Sequence, residues 1–222
     1  MSVLVFDLDG TLVSSMEDLA ATMNAVLTAA GHAPVAPVYF PGMVGHGARY
    51  MLQRGLEANG VAWTEDIIEP MFRQFLAIYE NNLTVHTRPF PGVIAALERF
   101  RSEGWRLAVC TNKIERLTLP LLDQLDMTRH FDAIVGGDTY PVAKPQAEPV
   151  LGAIERAGGR KAGSVMIGDS ATDINAARAA GIPVVAVDFG YTQVPVTELG
   201  PDRVISHFDE LAGAIEALKA AA

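Results

Sequence analysis

The sequence predicts an α/β protein, a doubly wound parallel sheet with a helical cap inserted after its first strand. Three observations predict it. The chain opens on an unbroken apolar run, Val3-Leu4-Val5-Phe6, and such short runs are strands buried on both faces, as a parallel sheet requires. Helical periodicity with no intervening strand then fills residues 15–87. From Gly92 onward apolar strand runs alternate with helical segments, the order that builds a sheet covered by helices on both sides.

The first strand stops abruptly at Asp7-Leu8-Asp9-Gly10-Thr11. Asp-Gly is a common turn pair, yet two carboxylates at the mouth of a buried strand repel each other. Like charges about 4 Å apart cost roughly 4 kcal/mol at an effective dielectric near 20. A fold keeps such a pair when a cation neutralises it or chemistry needs it.

A helix follows, with Met16, Leu19, Ala20, Met23, Val26, Leu27 and Ala30 at three- and four-residue steps. Ser15 and Asp18 form an S-x-x-D start signal and Gly31 a stop. Pro34, Pro37, Pro41, Gly42, Gly45 and Gly47 mark a loop. Helices are expected over Ala48–Ala58 and from Glu65 to Asn81, the second capped by Thr64. Thr87–Gly92 reads as a returning linker.

The alternating part is expected as helix Val93–Ser102, strand Arg106–Thr111, helix Glu115–Gln124 and strand Ala133–Gly136. Helix Glu148–Ala157, strand Ser164–Ile167, helix Asp173–Ala180 and strand Pro183–Val187 come next. Arg203–Ile205 is a short edge strand and Phe208–Ala220 a closing amphipathic helix; only the terminal Ala220–Ala222 is of low complexity. The expected units are a Rossmann-like core, residues 1–14 and 88–222, and a helical cap, residues 15–87.

Composition narrows the function. Of 222 residues, 50% are hydrophobic and 19% charged, which is globular rather than disordered, and the formal net charge is −9. That charge argues against nucleic acid or an anionic membrane as partner. The single cysteine, Cys110, falls in a strand pattern and excludes an internal disulfide framework. The N-terminus begins on a core strand without a basic or apolar leader, and no apolar run reaches 18 residues. A cytoplasmic protein, monomer or homodimer, is expected.

In open α/β sheets, sites form beyond the carboxyl ends of the strands. Those ends carry Asp7 and Asp9; Thr111-Asn112-Lys113; a loop with Ala143-Lys144-Pro145; and Gly168-Asp169-Ser170-Ala171-Thr172-Asp173. Singly, Thr111 and Ser170 could close turns, Asp173 could cap a helix and Lys144 could be a solvated charge. Jointly, four polar strand ends in register point to one site. Phosphoryl transfer fits their chemistry: a carboxylate nucleophile divides hydrolysis into two steps. Mg²⁺ suits acidic oxygen ligands plus substrate phosphate, and a hydroxyl and a lysine can hold phosphoryl oxygens.

D-L-D-G-T-L, the strand ending in Thr111, the lysine of A-K-P and G-D-S-A-T-D resemble the four motifs of the haloacid dehalogenase-like superfamily. L-V-S-S-M-E-D-L-A-A-T-M-N-A-V-L-T-A-A-G, V-G-H-G-A-R, C-T-N-K and K-P-Q-A-E-P-V are similar to its phosphoglycolate phosphatase branch. The resemblance implies a Mg²⁺-dependent phosphatase of a small phosphorylated metabolite, working through an aspartyl-phosphate. Asp7 would be the nucleophile. Asp9 would be the acid and base, its backbone carbonyl binding Mg²⁺. Thr111 and Lys144 would hold the phosphoryl group. Asp169 would complete the metal's ligands, and Asp173, Asn112, Gly10, Thr11 and Ser170 would support the site.

Two positions depart from the branch: Ser14 stands where it usually has Asp, and His46 where a basic residue is frequent. Arg49, at a helix start beside the cap-loop glycines, is with His46 the expected reader of the leaving group. The remaining histidines show no ligand spacing, and Gly42-x-x-Gly45-x-Gly47 follows no strand and is no dinucleotide fingerprint. A sugar phosphomutase and a pyrophosphatase or nucleotidase share these motifs and stay open. A receiver-type phospho-switch would place its phosphoacceptor after a middle strand, with no large insertion. A haloalkanoate dehalogenase would have no use for Asp9.

Overall fold

The computed structural model describes residues 1–220, so positions 221 and 222 of the terminal alanine run lie outside the described residues. Strand β1 (Val3–Phe6) is followed by a two-residue strand β2 (Val13–Ser14). Helices α1 (Met16–Ala29), α2 (Ala48–Ala58) and α3 (Glu65–Tyr79) come next, then a second two-residue strand, β3 (Arg88–Pro89). The chain continues through α4 (Val93–Ser102), β4 (Arg106–Cys110), α5 (Glu115–Gln124), β5 (Ala133–Val135), α6 (Ala147–Arg156) and β6 (Val165–Gly168). It ends with α7 (Ala171–Ala180), β7 (Val184–Val187), β8 (Arg203–Ile205) and α8 (Leu211–Ala220).

Six strands form one parallel sheet in the order β5-β4-β1-β6-β7-β8. The period of two along each strand splits its side chains between two apolar layers. Leu4, Phe6, Leu107, Val109, Val165 and Ile167 pack on one face. Val3, Val5, Ala108, Cys110 and Met166 pack on the other. All four β1 side chains are fully buried, each contributing about 1.5–3 kcal/mol of apolar burial where the side chain is large. The chain leaves β1 for β4 on one side and later returns to β6 on the other. The crevice at such a switch point is where an open α/β sheet places its site.

Most boundaries match the periodicity to within a residue or two. Helix α3 ends at Tyr79 rather than Asn81, and α7 begins at Ala171 with Ser170 as its N-cap residue, not at Asp173. A single 3₁₀ turn, Phe208–Glu210, precedes α8. The antiparallel β2–β3 pair, Val13 opposite Pro89 and Ser14 opposite Arg88, has no sequence signal because two residues carry no alternation. It sits where the chain leaves for α1 and returns from α3.

The S-x-x-D signal marks the start of α1 correctly but for another reason. Ser15 makes no cap hydrogen bond; its hydroxyl donates to Asp9 Oδ1 at 2.5 Å. Asp18 instead accepts from the N–H groups of His86 and Thr87, and from the Thr87 hydroxyl at 2.7 Å. A buried carboxylate on α1 thus ties down the returning linker. Thr64 likewise precedes α3 without a side-chain cap bond.

Candidate active site

The sheet register brings the carboxyl ends of β1, β4 and β6 together. Phe6 pairs with Val109 and Ile167, so Asp7 leaves β1 level with Cys110 and Gly168, each one residue before Thr111 and Asp169. Lys144, on the loop after β5, donates to Asp7 Oδ1 at 2.7 Å and Asp173 Oδ1 at 2.6 Å. The second Asp173 oxygen accepts from the N–H groups of Asp169 and Ser170 and from the Ser170 hydroxyl. Asp169 accepts from the Thr11 hydroxyl at 3.0 Å and the Tyr191 N–H at 2.8 Å. Each of these carboxylates is buried.

Asp7, Asp169 and Asp173 offer oxygens that all lie within 4.8 Å of one another. One ammonium, Lys144, stands against three carboxylates. Burial pushes the Asp7 carboxyl up to about 7 against the pull of Lys144, with Asp173 and Asp9 adding to the rise. Burial likewise carries Asp169 well above the usual carboxylate range, helped by Asp173 and Asp7. Lys144 keeps its proton despite burial because Asp173 and Asp7 flank it. This excess of buried negative charge on hard oxygen donors fits a divalent cation such as Mg²⁺. The cradle is tight: Gly10 has φ +90°, and a Cβ there would stand 2.6 Å from Asp169 Oδ2.

Asp9 belongs to a second cluster. Lys113 Nζ donates to Asp9 Oδ1 at 2.9 Å and Oδ2 at 2.8 Å, and to the Tyr79 hydroxyl at 3.1 Å. Burial opposes the Lys113 charge, but Asp9 and Tyr79 hold its pKa above the ordinary lysine value. Burial also pushes the Tyr79 phenol up to about 12. Asn112 fastens two loops: its side chain donates to the carbonyls of Gly45 and Lys144, both at 3.0 Å, and accepts from the Lys144 N–H. A cavity of about 40 Å³ lies between these residues and the helical block. Asp7, Asp9, Thr111, Asn112 and Lys113 line one side; Leu19, Val44, Met51, Phe72 and Phe75 line the other.

A family model described as haloacid dehalogenase-like hydrolase matches residues 4–187. This chain belongs to the haloacid dehalogenase-like hydrolases. The hydrolase is 45% identical over 211 residues to the phosphoglycolate phosphatase of Agrobacterium fabrum, covering 95% of this chain and 91% of that protein. It is 45% identical over 209 residues to that of Mesorhizobium japonicum, covering 94% and 92%. The crystal structure of a predicted phosphoglycolate phosphatase from Haemophilus somnus superposes with a TM-score of 0.90. That structure is 31% identical and covers 96% of this chain and 97% of its own.

The two residues expected to read the leaving group are not drawn to the cavity. Arg49, in the first turn of α2, pairs with Glu69 and with Glu65 and lies 4.3 Å from the Phe72 ring centroid. Its guanidinium joins α2 to α3. His46 is exposed at the surface and packs on Tyr50, and desolvation holds its pKa below the ordinary histidine value. Gly45 and Gly47, on either side of it, do line the cavity.

Conversely, this hydrolase places Lys113, Ser15 and Tyr191 in contact with the site's carboxylates without their having been assigned roles in the sequence. Lys113 stands in the same strand-end motif as Thr111. Ser15 has the spacing of a helix cap. Tyr191 follows β7, a fifth strand end, where Gly190 would place a Cβ 2.1 Å from the Asp169 Cβ. A glycine and an aromatic just past an apolar strand were its available signal.

Proposed function

We propose that the protein is a Mg²⁺-dependent phosphomonoester hydrolase working through an aspartyl-phosphate on Asp7, with 2-phosphoglycolate as first candidate substrate. The observation that carries this reading is the buried meeting of Asp7 with Lys144 and Asp169, where Asp7 also lines the cavity together with Asp9 and Thr111. An Asp7 oxygen attacks phosphorus, the ester P–O bond breaks, and Asp9 gives a proton to the departing oxygen. Asp9 then takes a proton from water, whose oxygen attacks phosphorus and releases inorganic phosphate from Asp7. Lys144 and the Thr111 hydroxyl hold the phosphoryl oxygens, in-line and away from bulk water.

Mg²⁺ held by Asp7, Asp169 and the Asp9 backbone carbonyl would neutralise the phosphoryl oxygens and offset the crowded carboxylates. Asp173 keeps Lys144 and the Asp169 turn in place. On this reading residues 15–87 are a cap that closes over the phosphate, and residues 1–14 and 88–222 the catalytic core. The enzyme acts in the cytoplasm, as monomer or homodimer, on a small phosphorylated metabolite. The small, mostly apolar cavity supports a leaving group of few atoms.

Purified protein assayed against a panel of phosphorylated metabolites, with Mg²⁺ and with chelator, tests this. Phosphate release should need Mg²⁺, stop on chelation, return on adding Mg²⁺, and be inhibited by Ca²⁺, whose looser coordination spoils in-line geometry. Full activity in excess chelator, or none on any monoester, would refute it.

A further inference from the structure

Among the described residues lining the cavity, Lys113 is the only cation, and nothing in the mechanism above uses it. Its side chain is 5% exposed. An ammonium has three donors, and all three are spent: two on Asp9 and one on Tyr79. The two Asp9 oxygens are not equivalent. Oδ1 also accepts from Ser15, whereas Oδ2 has Lys113 alone as its side-chain partner. A shift of one Lys113 hydrogen bond would therefore leave Oδ1 anchored and Oδ2 free.

We propose that Lys113 is the specificity-determining residue. It transfers one hydrogen bond from Asp9 Oδ2 to a carboxylate on the carbon next to the substrate's ester oxygen, which turns Oδ2 toward that oxygen. The inference rests on the phosphatase reading, in which Asp9 touches the ester oxygen. An oxygen bonded to Oδ2 lies at most two hydrogen-bond lengths from Nζ, about 5.6 Å, and an adjacent carboxylate lies within that reach. The opposing wall, with Leu19, Val44, Met51, Phe72 and Phe75, offers no second charge, and Arg49 is occupied by Glu65 and Glu69. The cavity holds about three waters at 10–15 Å³ each, which favours a short leaving group. The selected class is a small monoester with its carboxylate beside the ester carbon.

The discriminating measurement is the ratio of kcat/KM for 2-phosphoglycolate to that for 2-hydroxyethyl phosphate, which has an alcohol in place of the carboxylate. It is taken with Mg²⁺ for the parent, Lys113→Met, Lys113→Gln and Lys113→Arg. The parent should prefer 2-phosphoglycolate. Lys113→Met and Lys113→Gln should lower that ratio at least about tenfold, chiefly through the KM of the carboxylate substrate, and Lys113→Arg should restore part of it. Gln retains a donor for Asp9 and Tyr79, which keeps the test open if Met does not fold. Equal losses on both esters would overturn the inference, reducing Lys113 to a positioning residue for Asp9. A parent without preference, or active only on other monoesters, would overturn it too. A parent active on no monoester at all would instead overturn the phosphatase reading.

Discussion

The Tyr191 N–H donates to Asp169 Oδ2 at 2.8 Å, while the Tyr191 phenol oxygen accepts from the N–H groups of Ser15 and Met16 at 2.7 and 3.2 Å. One residue thus steadies a carboxylate of the acidic triad and closes the start of α1. Ser15, whose own side chain is committed to Asp9, leaves the helix without a cap of its own, and Tyr191 supplies it. The carbonyl of Tyr191 also accepts from the Gly42 N–H, so the same residue meets the loop before α2.

Tyr191→Phe should therefore lower stability by about 1 kcal/mol, the usual cost of losing a helix N-cap, measured as a shift of the urea midpoint. The backbone bond to Asp169 is untouched, so Mg²⁺ affinity should stay at the parent value. A parent-like urea midpoint would mean the phenol contributes nothing to the start of α1.

Asp18→Ala strips the acceptor from the His86 and Thr87 N–H groups and the Thr87 hydroxyl. Thr87 is fully buried, and buried donors without partners are costly, so destabilisation of about 2–4 kcal/mol is expected. Asp18→Asn keeps one carbonyl oxygen and should cost less. Denaturant titration of both variants measures this. Parent-like stability of Asp18→Ala would show that the returning linker is held by its β2–β3 pairing alone.

Strands and helices of the sheet were legible because apolar runs and three- and four-residue steps follow directly from burial. Of the candidate site, Asp7, Thr111 and Asp169 were legible because each breaks an apolar run at a strand end. The rest was not, for physical reasons. Ser15 and Asp18 satisfy the same spacing as a capping box, yet both side chains turn to partners outside the helix, Asp9 and Thr87. The spacing of a capping box cannot register that such outside acceptors and donors compete for its side chains. Arg49 looked available at a helix start, but Glu65 and Glu69 on α3 compete for it, and that competition exists only once α2 and α3 pack. Lys113 is recognisable only when Asp9 is seen opposite it.

Asp9→Asn separates the two aspartates of the first strand end. On the proposed mechanism it removes the acid and base while keeping the backbone carbonyl, so kcat should fall by about 10²–10⁴ with Mg²⁺ affinity retained. Steady-state kinetics alongside calorimetric Mg²⁺ titration checks both halves. Parent-like kcat would withdraw the acid–base role from Asp9.

The most direct test of the nucleophile is the kcat of Asp7→Asn on a phosphomonoester the parent hydrolyses, in protein whose circular dichroism and thermal midpoint establish that it is folded. Asn has nearly the shape of Asp and can still accept from Lys144, but it cannot attack phosphorus as a carboxylate does. Removing a nucleophile costs enzymes several orders of magnitude, on the order of 10⁶ in a serine protease. A fall of at least about 10³-fold is expected; turnover within tenfold of the parent would contradict an aspartyl-phosphate at position 7.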